Sequence, residues 1–153
     1  METVVRRATR HDERHLFRLA RAAPTLIPPD FSMFRHAFES ILADLSSVLF
    51  VAEADGQLVG YLSGYRHITF YAAGYLGWVD ELFVSANARN LGIGRGLMRQ
   101  FESWASHRDC VLVGLATSHA SAFYERLGYT SNADYYKKYL RPMTSQTDPS
   151  PLG

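Results

Sequence analysis

A short glycine-containing segment, Arg89-Asn90-Leu91-Gly92-Ile93-Gly94-Arg95, could bind an anion such as a phosphate. It lies between a predicted strand and a predicted helix, and the first N–H groups of a helix have no partners within that helix. The helix dipole adds partial positive charge at the same end. Glycine lets the backbone approach an anion closely, and Arg89 and Arg95 would add charge-assisted contacts. The segment therefore predicts a phosphate-binding turn.

Two other phosphate-binding patterns do not fit this segment. A dinucleotide fingerprint requires a glycine three residues after Gly94, where Leu97 stands. A P-loop requires Gly-Lys followed by Ser or Thr, which the segment lacks. A glycine-rich turn without a ligand is an equally good interpretation of the glycines alone, so the surrounding sequence must decide.

Two adjacent carboxylates, Asp80 and Glu81, interrupt an otherwise apolar predicted strand that runs from Trp78 to Val84. Carboxylates in such a strand are costly unless they are paired or used in function. They could remove a proton from a substrate or hold a cationic group. Strand alternation predicts that the two side chains point to opposite faces, although a bulge would change this. An exposed pair at a strand end is the alternative without a function.

The elements that position these residues follow from hydrophobic periodicity, glycine and proline. The predicted elements are a first strand near Val4 and Val5, helices at 11–23 and 31–45 with Ser32 near the cap of the second, strands at 48–54, 58–67 and 75–84, a helix at 92–106, a strand at 111–116, a short helix at 121–127 and a last strand at 135–140. Asp55-Gly56 predicts a hairpin turn, and Gly128 predicts the left-handed end of a helix. The continuous apolar run at 111–116 is typical of a strand buried on both faces.

This order predicts one α/β domain over residues 1–141, with a mixed, largely antiparallel sheet, followed by a flexible tail over residues 142–153. The 153 residues, 47% hydrophobic and 20% charged, suffice for a compact core. A net charge of +1 without a basic stripe argues against nucleic acid as a partner. The only cysteine, Cys110, is expected to be a small core residue in a reducing compartment. Without a signal peptide or a membrane-spanning run, the expected location is the cytoplasm, away from the membrane.

Residues 84–98, Val84-Ser-Ala-Asn-Ala-Arg-Asn-Leu-Gly-Ile-Gly-Arg-Gly-Leu-Met98, resemble the acetyl-CoA signature of the GNAT (Gcn5-related N-acetyltransferase) superfamily. That signature is Val-x-Pro-x-x-Arg/Gln-x-x-Gly-x-Gly/Ala, and here Ala86 replaces the proline. Residues 122–129, Ala-Phe-Tyr-Glu-Arg-Leu-Gly-Tyr, resemble the downstream Phe-Tyr-x-x-x-Gly-Phe/Tyr block of the same family. The predicted strand at 135–140 matches its customary last strand. The resemblance covers residues 75–140, and before residue 70 only the order of elements is similar.

The resemblance implies a GNAT fold, whose central sheet is splayed open between the strands at 75–84 and 111–116 to admit acetyl-CoA as the acetyl donor, without a metal. Backbone groups near the end of the first strand would pair with the pantetheine arm, and amides of the glycine segment would bind the pyrophosphate. The implied cofactor-binding residues are Leu82, Phe83, Val84, Arg89, Asn90, Leu91, Gly92, Ile93, Gly94, Arg95, Thr117 and Phe123. Thr117 replaces an asparagine of many members, and its hydroxyl can donate only one hydrogen bond.

The resemblance also implies catalytic residues. Tyr124 matches the residue that donates a proton to the departing CoA thiolate, and the alternative is an aromatic side chain that only packs its helix. In polyamine and aminoglycoside N-acetyltransferases, an acidic residue nine positions before the signature Arg/Gln assists deprotonation of the amine. Here that residue is Asp80, acting through water, and Glu81 would hold the cationic amine. His119 is an alternative base, although a polar residue at a helix start is the simpler interpretation.

The predicted function is acetyl transfer to a primary amine of a small molecule, such as a polyamine or aminoglycoside, by direct attack in a ternary complex. His67, Tyr71 and Tyr75 are expected to approach the acceptor. Two alternatives stay open: a peptide or protein N-acetyltransferase, and an acyl-CoA-binding regulatory module without turnover. The first stays open because acceptor selection resides in the variable regions near residues 24–38 and 67–75. The resemblance also allows a homodimer, which many members form.

Overall fold

The computed structural model describes residues 2–142. In that range the strands are β1 (Thr3–Arg7), β2 (Ser47–Ala54), β3 (Gln57–Thr69), β4 (Gly74–Val84) and β5 (Cys110–Leu115), and the helices are α1 (Glu13–Ala22), α2 (Phe31–Ala43), α3 (Ile93–His107) and α4 (Ser121–Arg126). Single 3-10 turns lie at Arg10–Asp12 and Ala86–Ala88. The predicted elements before residue 128 are therefore present, with ends shifted by one or two residues.

The five strands form one sheet in the order β1-β2-β3-β4-β5. The first three pairs of neighbours are antiparallel, and β4 and β5 are parallel. The chain reverses between β2 and β3 at Asp55 and Gly56, whose φ angles of 49° and 79° are those that a tight hairpin turn needs. The mixed, largely antiparallel sheet with flanking helices confirms the predicted α/β class.

Helices cover both faces of the sheet. α3 packs against one face, where a buried cluster includes Leu62, Leu97, Met98 and Phe101. The other face packs against α1 and α2, where the cluster includes Leu16, Phe38, Val51 and Tyr61. Close approach of α3 depends on Gly64, because a Cβ there would lie 2.5 Å from the Phe101 ring. The face of each residue in β3 and β4 can thus be assigned from the cluster it joins.

The start of α2 differs from its prediction. The capping residue is Asp30, whose carboxylate accepts a hydrogen bond of 2.8 Å from the N–H of Met33. Ser32 instead lies within the first turn. Both residue types are favourable caps, and the two preceding prolines end the extended segment just before Asp30.

The C-terminal part of the described chain also differs from its prediction. Residues 135–140 form no strand, and Tyr136 and Leu140 are 87% and 91% exposed. β5 was expected to be buried on both faces, but it is an edge strand with Val111 63% exposed. Without a strand at 135–140, β5 has a neighbour on one side only within the described residues. Beyond Pro142, the predicted tail lies outside the described residues.

Candidate active site

The sheet opens between β4 and β5. Their pairing runs from Tyr75 opposite Cys110 to Val79 opposite Leu115, and it ends there. β4 continues through residues 80–84, where it pairs with β3 on its other side. In the described part of the chain, no strand pairs with this stretch on the β5 side. On that side, the backbone N–H and C=O groups of β4 have no strand partner. An extended ligand could pair with them and so satisfy their hydrogen bonds.

The glycine segment forms an anion-binding turn at the start of α3. Asn90 and Gly92 have positive φ angles of 65° and 79°, and Gly92 is the N-cap residue of the helix. No side chain of the described residues caps this end. Successive N–H groups in such a turn converge on a concave surface that favours an anion. The Arg89 Nε donates to the carbonyl oxygen of Val84 at 3.3 Å, which tethers the turn to the end of β4.

Three elements converge at Gly94. A Cβ at this position would lie 3.2 Å from the ring of Phe123 on α4 and 3.9 Å from the side chain of Val84. Gly94, in the first turn of α3, therefore has a packing role, because it lets α4 lie against the start of α3.

The other predicted cofactor-binding residues lie in different environments. Leu91 and Arg95 are exposed at the turn, whereas the side chain of Ile93 is buried in the α3 core. Leu82 packs toward the same core, and Phe83 points to the opposite face. Ile93 could therefore contact a ligand at this turn through its backbone.

Tyr124 lies half-buried on α4, between two aromatic rings. Its ring is edge-to-face with Phe123 at 4.9 Å and with Tyr129 at 5.9 Å between centroids. The Tyr129 hydroxyl donates to a Glu102 carboxylate oxygen on α3 at 2.6 Å, so Tyr129 fixes the end of α4. Burial raises the pKa of Tyr124, which keeps its hydroxyl protonated near neutral pH. The ring is thus held in place with a proton available for donation.

The turn before α4 contains the polar residues that the sequence singled out. The Thr117 hydroxyl oxygen accepts a hydrogen bond from the N–H of Ala120 at 3.1 Å, so it helps to shape the turn. The exposed His119 Nδ1 lies 2.8 Å from the Ser118 hydroxyl oxygen. Thr117 retains its own O–H as a donor, as expected for a residue that can offer one hydrogen bond.

A bulge in β4 places both carboxylates on one face of the sheet. The register shifts so that Asp80 is an extra residue between the paired positions Val79 and Glu81. Val79 and Leu82 both pack toward α3, so the two residues between them project toward the opposite face. The expectation from simple alternation, that the pair points to opposite faces, is therefore wrong. Asp80 and Glu81 can act in the same site.

Two tyrosines of β3 share this face with the carboxylates. The pKa of Tyr61 is raised by burial and by the charge of Glu81, and that of Tyr65 by burial and by the charge of Asp80. The Tyr65 ring lies 5.4 Å from the His67 ring. Neither Tyr61 nor Tyr65 was among the site residues predicted from the sequence. Their period-two spacing was visible in the sequence, but only the register of β3 with β4 relates them to the acids.

The three residues expected near the acceptor are divided between faces. His67 lies with Tyr65, and its buried Nδ1 has no hydrogen-bond partner. Tyr75 lies toward α3, where the Arg66 guanidinium stacks 4.0 Å from its ring centroid and bonds the Arg108 carbonyl oxygen. Tyr71 is 81% exposed in the turn between β3 and β4. Of the three, His67 alone shares the face of the carboxylates.

The carboxylates have raised pKa values although their side chains reach solvent. Burial by surrounding protein raises the pKa of Asp80, and burial followed by the charge of Asp80 raises that of Glu81. A carboxylate with a raised pKa is a better base than an ordinary one. The pair could accept a proton from an ammonium group or hold that group in place.

Within residues 2–142, no group of three or more His, Cys, Asp or Glu side chains is arranged to hold a metal ion. None of the helices in this part of the chain combines the length and the apolar character needed to span a bilayer.

We expect Glu81→Gln to raise the Tm of the protein at pH 7.5. The raised pKa means that the ionised form of Glu81 is disfavoured in the folded state, so its charge lowers stability above that pKa. The gain over the parent should shrink as the pH falls and disappear below about pH 4, where Glu is protonated in both states. Thermal unfolding from about pH 3 to pH 8 measures this difference in Tm. Glu125→Gln, at an exposed position of α4, is the matched control, and an equal gain in both variants would contradict the assignment.

Comparison with known proteins identifies relatives of this architecture. The family model described as "Acetyltransferase (GNAT) domain" matches residues 46–131. An aminoalkylphosphonate N-acetyltransferase of Salmonella typhimurium is 29% identical over 115 residues, which are 72% of this chain and 75% of that protein. The matched region contains β2 to α4, and therefore the bulge, the glycine turn and Tyr124.

Solved structures share the fold. A protein of Bacillus halodurans C-125 described as a transcriptional regulator has a TM-score of 0.81 at 24% identity, over 91% of this chain and all of that one. The aminoglycoside acetyltransferase AAC(6')-Iy, solved with a bisubstrate analogue that joins CoA to acetylneamine, has a TM-score of 0.73 at 20% identity, over 91% and 99% of the two chains. At these identities the similarity is one of fold.

Proposed function

Because the chain belongs to the GNAT acetyltransferase family and is an N-acetyltransferase, we propose that it acetylates a primary amine of a small cationic molecule. The observation that carries this proposal is the bulge that sets Asp80 and Glu81 on one open face, beside two tyrosines. Paired carboxylates attract an ammonium group, and they supply a base once it is bound. The Salmonella relative is named for a small amine substrate, which agrees with this proposal.

Acetyl-CoA, the family's acetyl donor, would enter the opening between β4 and β5. The free edge of residues 82–84 fits a pantetheine arm, which pairs with backbone groups as an added strand does. The turn at Asn90–Arg95 fits the pyrophosphate, because it combines two left-handed residues with an uncapped helix N-terminus. Phe123 would pack beside this end of the donor.

The reaction would proceed by direct attack. Asp80, the extra residue of the bulge, accepts a proton from the ammonium group through water, while Glu81 holds the amine. The neutral nitrogen attacks the thioester carbonyl carbon, and a tetrahedral intermediate forms. The C–S bond then breaks, and the Tyr124 hydroxyl donates its proton to the departing thiolate. The nitrogen loses its second proton as the amide forms, and that proton passes through water to the Tyr124 oxygen. Each proton thus has a group of this chain to move it.

Release of free CoA thiol from acetyl-CoA tests the proposed function. The amine panel would contain a diamine, an aminoalkylphosphonate, an amino sugar and a peptide with a free N-terminus. We expect a kcat/KM for at least one small amine that is tenfold or more above that for the peptide. A preference for the peptide would assign the protein to peptide acetylation. Tight binding of acetyl-CoA without thiol release for any amine would indicate a binding module.

We expect Gly94→Val to raise the dissociation constant for acetyl-CoA at least tenfold, a loss of about 1.4 kcal/mol. The valine side chain would push Phe123 away and distort the turn that binds the pyrophosphate. Calorimetry with acetyl-CoA and with acetylpantetheine, which has no pyrophosphate, measures the effect. The loss should be large for the first and small for the second.

The matched control is Gly96→Ala, two residues further along α3. Its Cβ would meet only the Val5 side chain at 3.4 Å, an ordinary contact. We expect unchanged acetyl-CoA affinity for this variant. Unchanged affinity in a folded Gly94→Val variant as well would refute the binding turn.

A further inference from the structure

Two aromatic residues lie directly opposite each other on β3 and β4, beside the two carboxylates. Tyr65 pairs with Trp78 across the strands, so both side chains lie on the same face of the sheet. Gly77 and Val79, on either side of Trp78, lie toward α3. Trp78 therefore projects to the opposite face, which is the face of the carboxylates.

This aromatic pair does not belong to the hydrophobic core. On its face of the sheet, α1 and α2 pack over β2 and β3. Neither apolar cluster of the described chain contains Tyr65 or Trp78, and both side chains are half-buried. A cross-strand aromatic pair can stabilise a sheet by contact alone. A pair that stays partly open beside two acids can also bind a ligand.

The indole of Trp78 lies against β5 at the mouth of the opening. Gly114 is the residue of β5 that pairs with Trp78, and a Cβ at Gly114 would lie only 3.2 Å from the six-membered ring. Glycine at this position therefore lets the indole approach the β5 backbone. The pairing of β4 with β5 ends one residue later, at Val79. The ring thus lies beside the opening proposed to admit the acetyl donor.

The charges around this pair favour a cation. Burial and the charge of Asp80 raise the pKa of Tyr65, so the carboxylate acts on that side chain. Arg66, the next residue of β3, points to the other face, where it stacks on Tyr75. The other cation–ring contacts of the described chain involve different aromatic residues. The ring faces of Tyr65 and Trp78 are therefore free to attract a cation from a ligand, and indole attracts one most strongly.

We propose that the pair Tyr65–Trp78 binds a second cationic group of the acceptor, so that the substrate is a diamine. This inference rests on the proposed function, because the reacting ammonium group is the one held at Asp80 and Glu81. Trp78 and Asp80 are two residues apart on β4, a span of about 6–7 Å in a strand. Roughly four or five methylene groups, with C–C bonds of about 1.5 Å, cover that span. Trp78 is thus a specificity-determining residue, with the distal ammonium group over its indole.

Calorimetry in the presence of excess CoA measures binding of the acceptor without turnover. The probes are diaminobutane and pentylamine, which are similar in length and carry two and one ammonium groups. The dissociation constant of diaminobutane should rise roughly 3- to 30-fold in Trp78→Leu, because leucine keeps apolar surface but has no π face. That of pentylamine should change less than about twofold. Trp78→Phe keeps a ring and should weaken diaminobutane binding less than Trp78→Leu does.

The matched control is Phe70→Leu. It makes the same kind of substitution at an exposed aromatic residue in the turn between β3 and β4. We expect it to change neither dissociation constant. Both carboxylates are retained in every variant, so the general attraction of a dication to the acids stays constant and only the ring contact is removed.

Other results would overturn the proposal. An equal loss for both amines in Trp78→Leu would mean that the indole supplies apolar contact alone. No loss for either amine, or no binding of diaminobutane to the parent, would mean that the pair only stabilises the sheet. Tighter binding of glucosamine than of diaminobutane would assign the surface to a sugar ring. The proposed function fails separately, when no amine leads to thiol release, because calorimetry does not depend on transfer.

Discussion

Tyr124→Phe should lower kcat by roughly 10²- to 10⁴-fold, the usual contribution of a general acid, while acetyl-CoA affinity stays within about twofold. The substitution removes only the hydroxyl, and the two edge-to-face ring contacts that hold the side chain are retained. The raised pKa of Tyr124 means that the hydroxyl is in its protonated form at the pH of turnover, when the thiolate departs. Steady-state kinetics with one good acceptor and calorimetry with acetyl-CoA measure the two quantities.

Tyr129→Phe is the control for this variant. It removes a hydroxyl from the neighbouring ring and breaks the bond to Glu102, which should lower stability by about 1–3 kcal/mol. Because the Tyr129 hydroxyl is engaged with α3, we expect kcat to change less than tenfold. If both variants lose turnover equally, or if Tyr124→Phe stays within twofold of the parent, Tyr124 packs α4 and is not the acid.

Features set by local chemistry were predictable from the sequence. Gly92 and Gly128 both adopt the left-handed conformation that glycine favours, at the start of α3 and just after α4. Asp55-Gly56 forms its turn for the same reason. The two segments that resembled the family's motifs lie in the region that its model matches. In each case a few neighbouring residues determine the outcome, so no distant contact had to be known.

Features set by strand register were not predictable. One extra residue in β4 reverses the expected relation between Asp80 and Glu81, and it sets both acids on the face of Tyr61 and Tyr65. Simple alternation along one strand cannot locate such a bulge, because it arises where two strands pair. The division of His67 and Tyr75 between two faces depends on the same ladder.

Residues 135–140 show a second limit of sequence patterns. Their tyrosines favour a strand, and β5 has the apolar pattern of a strand with two neighbours, yet neither property ensures that the two segments pair. Hydrophobic periodicity predicts which side chains of a segment are apolar on one face. It does not predict which neighbouring strand covers them, because that depends on the sheet topology. The prediction of a last strand at 135–140 is thus wrong, although the tyrosines of this segment favour a strand.

Asp80 and Glu81 should have different roles, and the pH dependence of kcat and KM in their variants should distinguish them. Asp80→Asn should lower kcat by roughly 10²-fold or more near and below neutral pH, because the amine must lose a proton after it binds. The loss should shrink as the pH rises, since more of the amine then arrives neutral. Glu81→Gln should raise KM for the amine and leave kcat nearly unchanged, because holding a cation contributes to binding.

Full pH–rate profiles of both variants with one acceptor distinguish these roles. The bulge places the two carboxylates on one face, so an exchange of roles would appear as the reverse pattern, with kcat lost in Glu81→Gln and KM raised in Asp80→Asn. The raised pKa of each acid means that the acidic limb of the parent profile should lie above the usual carboxylate range, and that it should move or vanish only in the variant that lacks the base. If neither substitution changes kcat or KM by more than about twofold, the pair is a solvated bulge. The base would then have to be His119 or an ordered water.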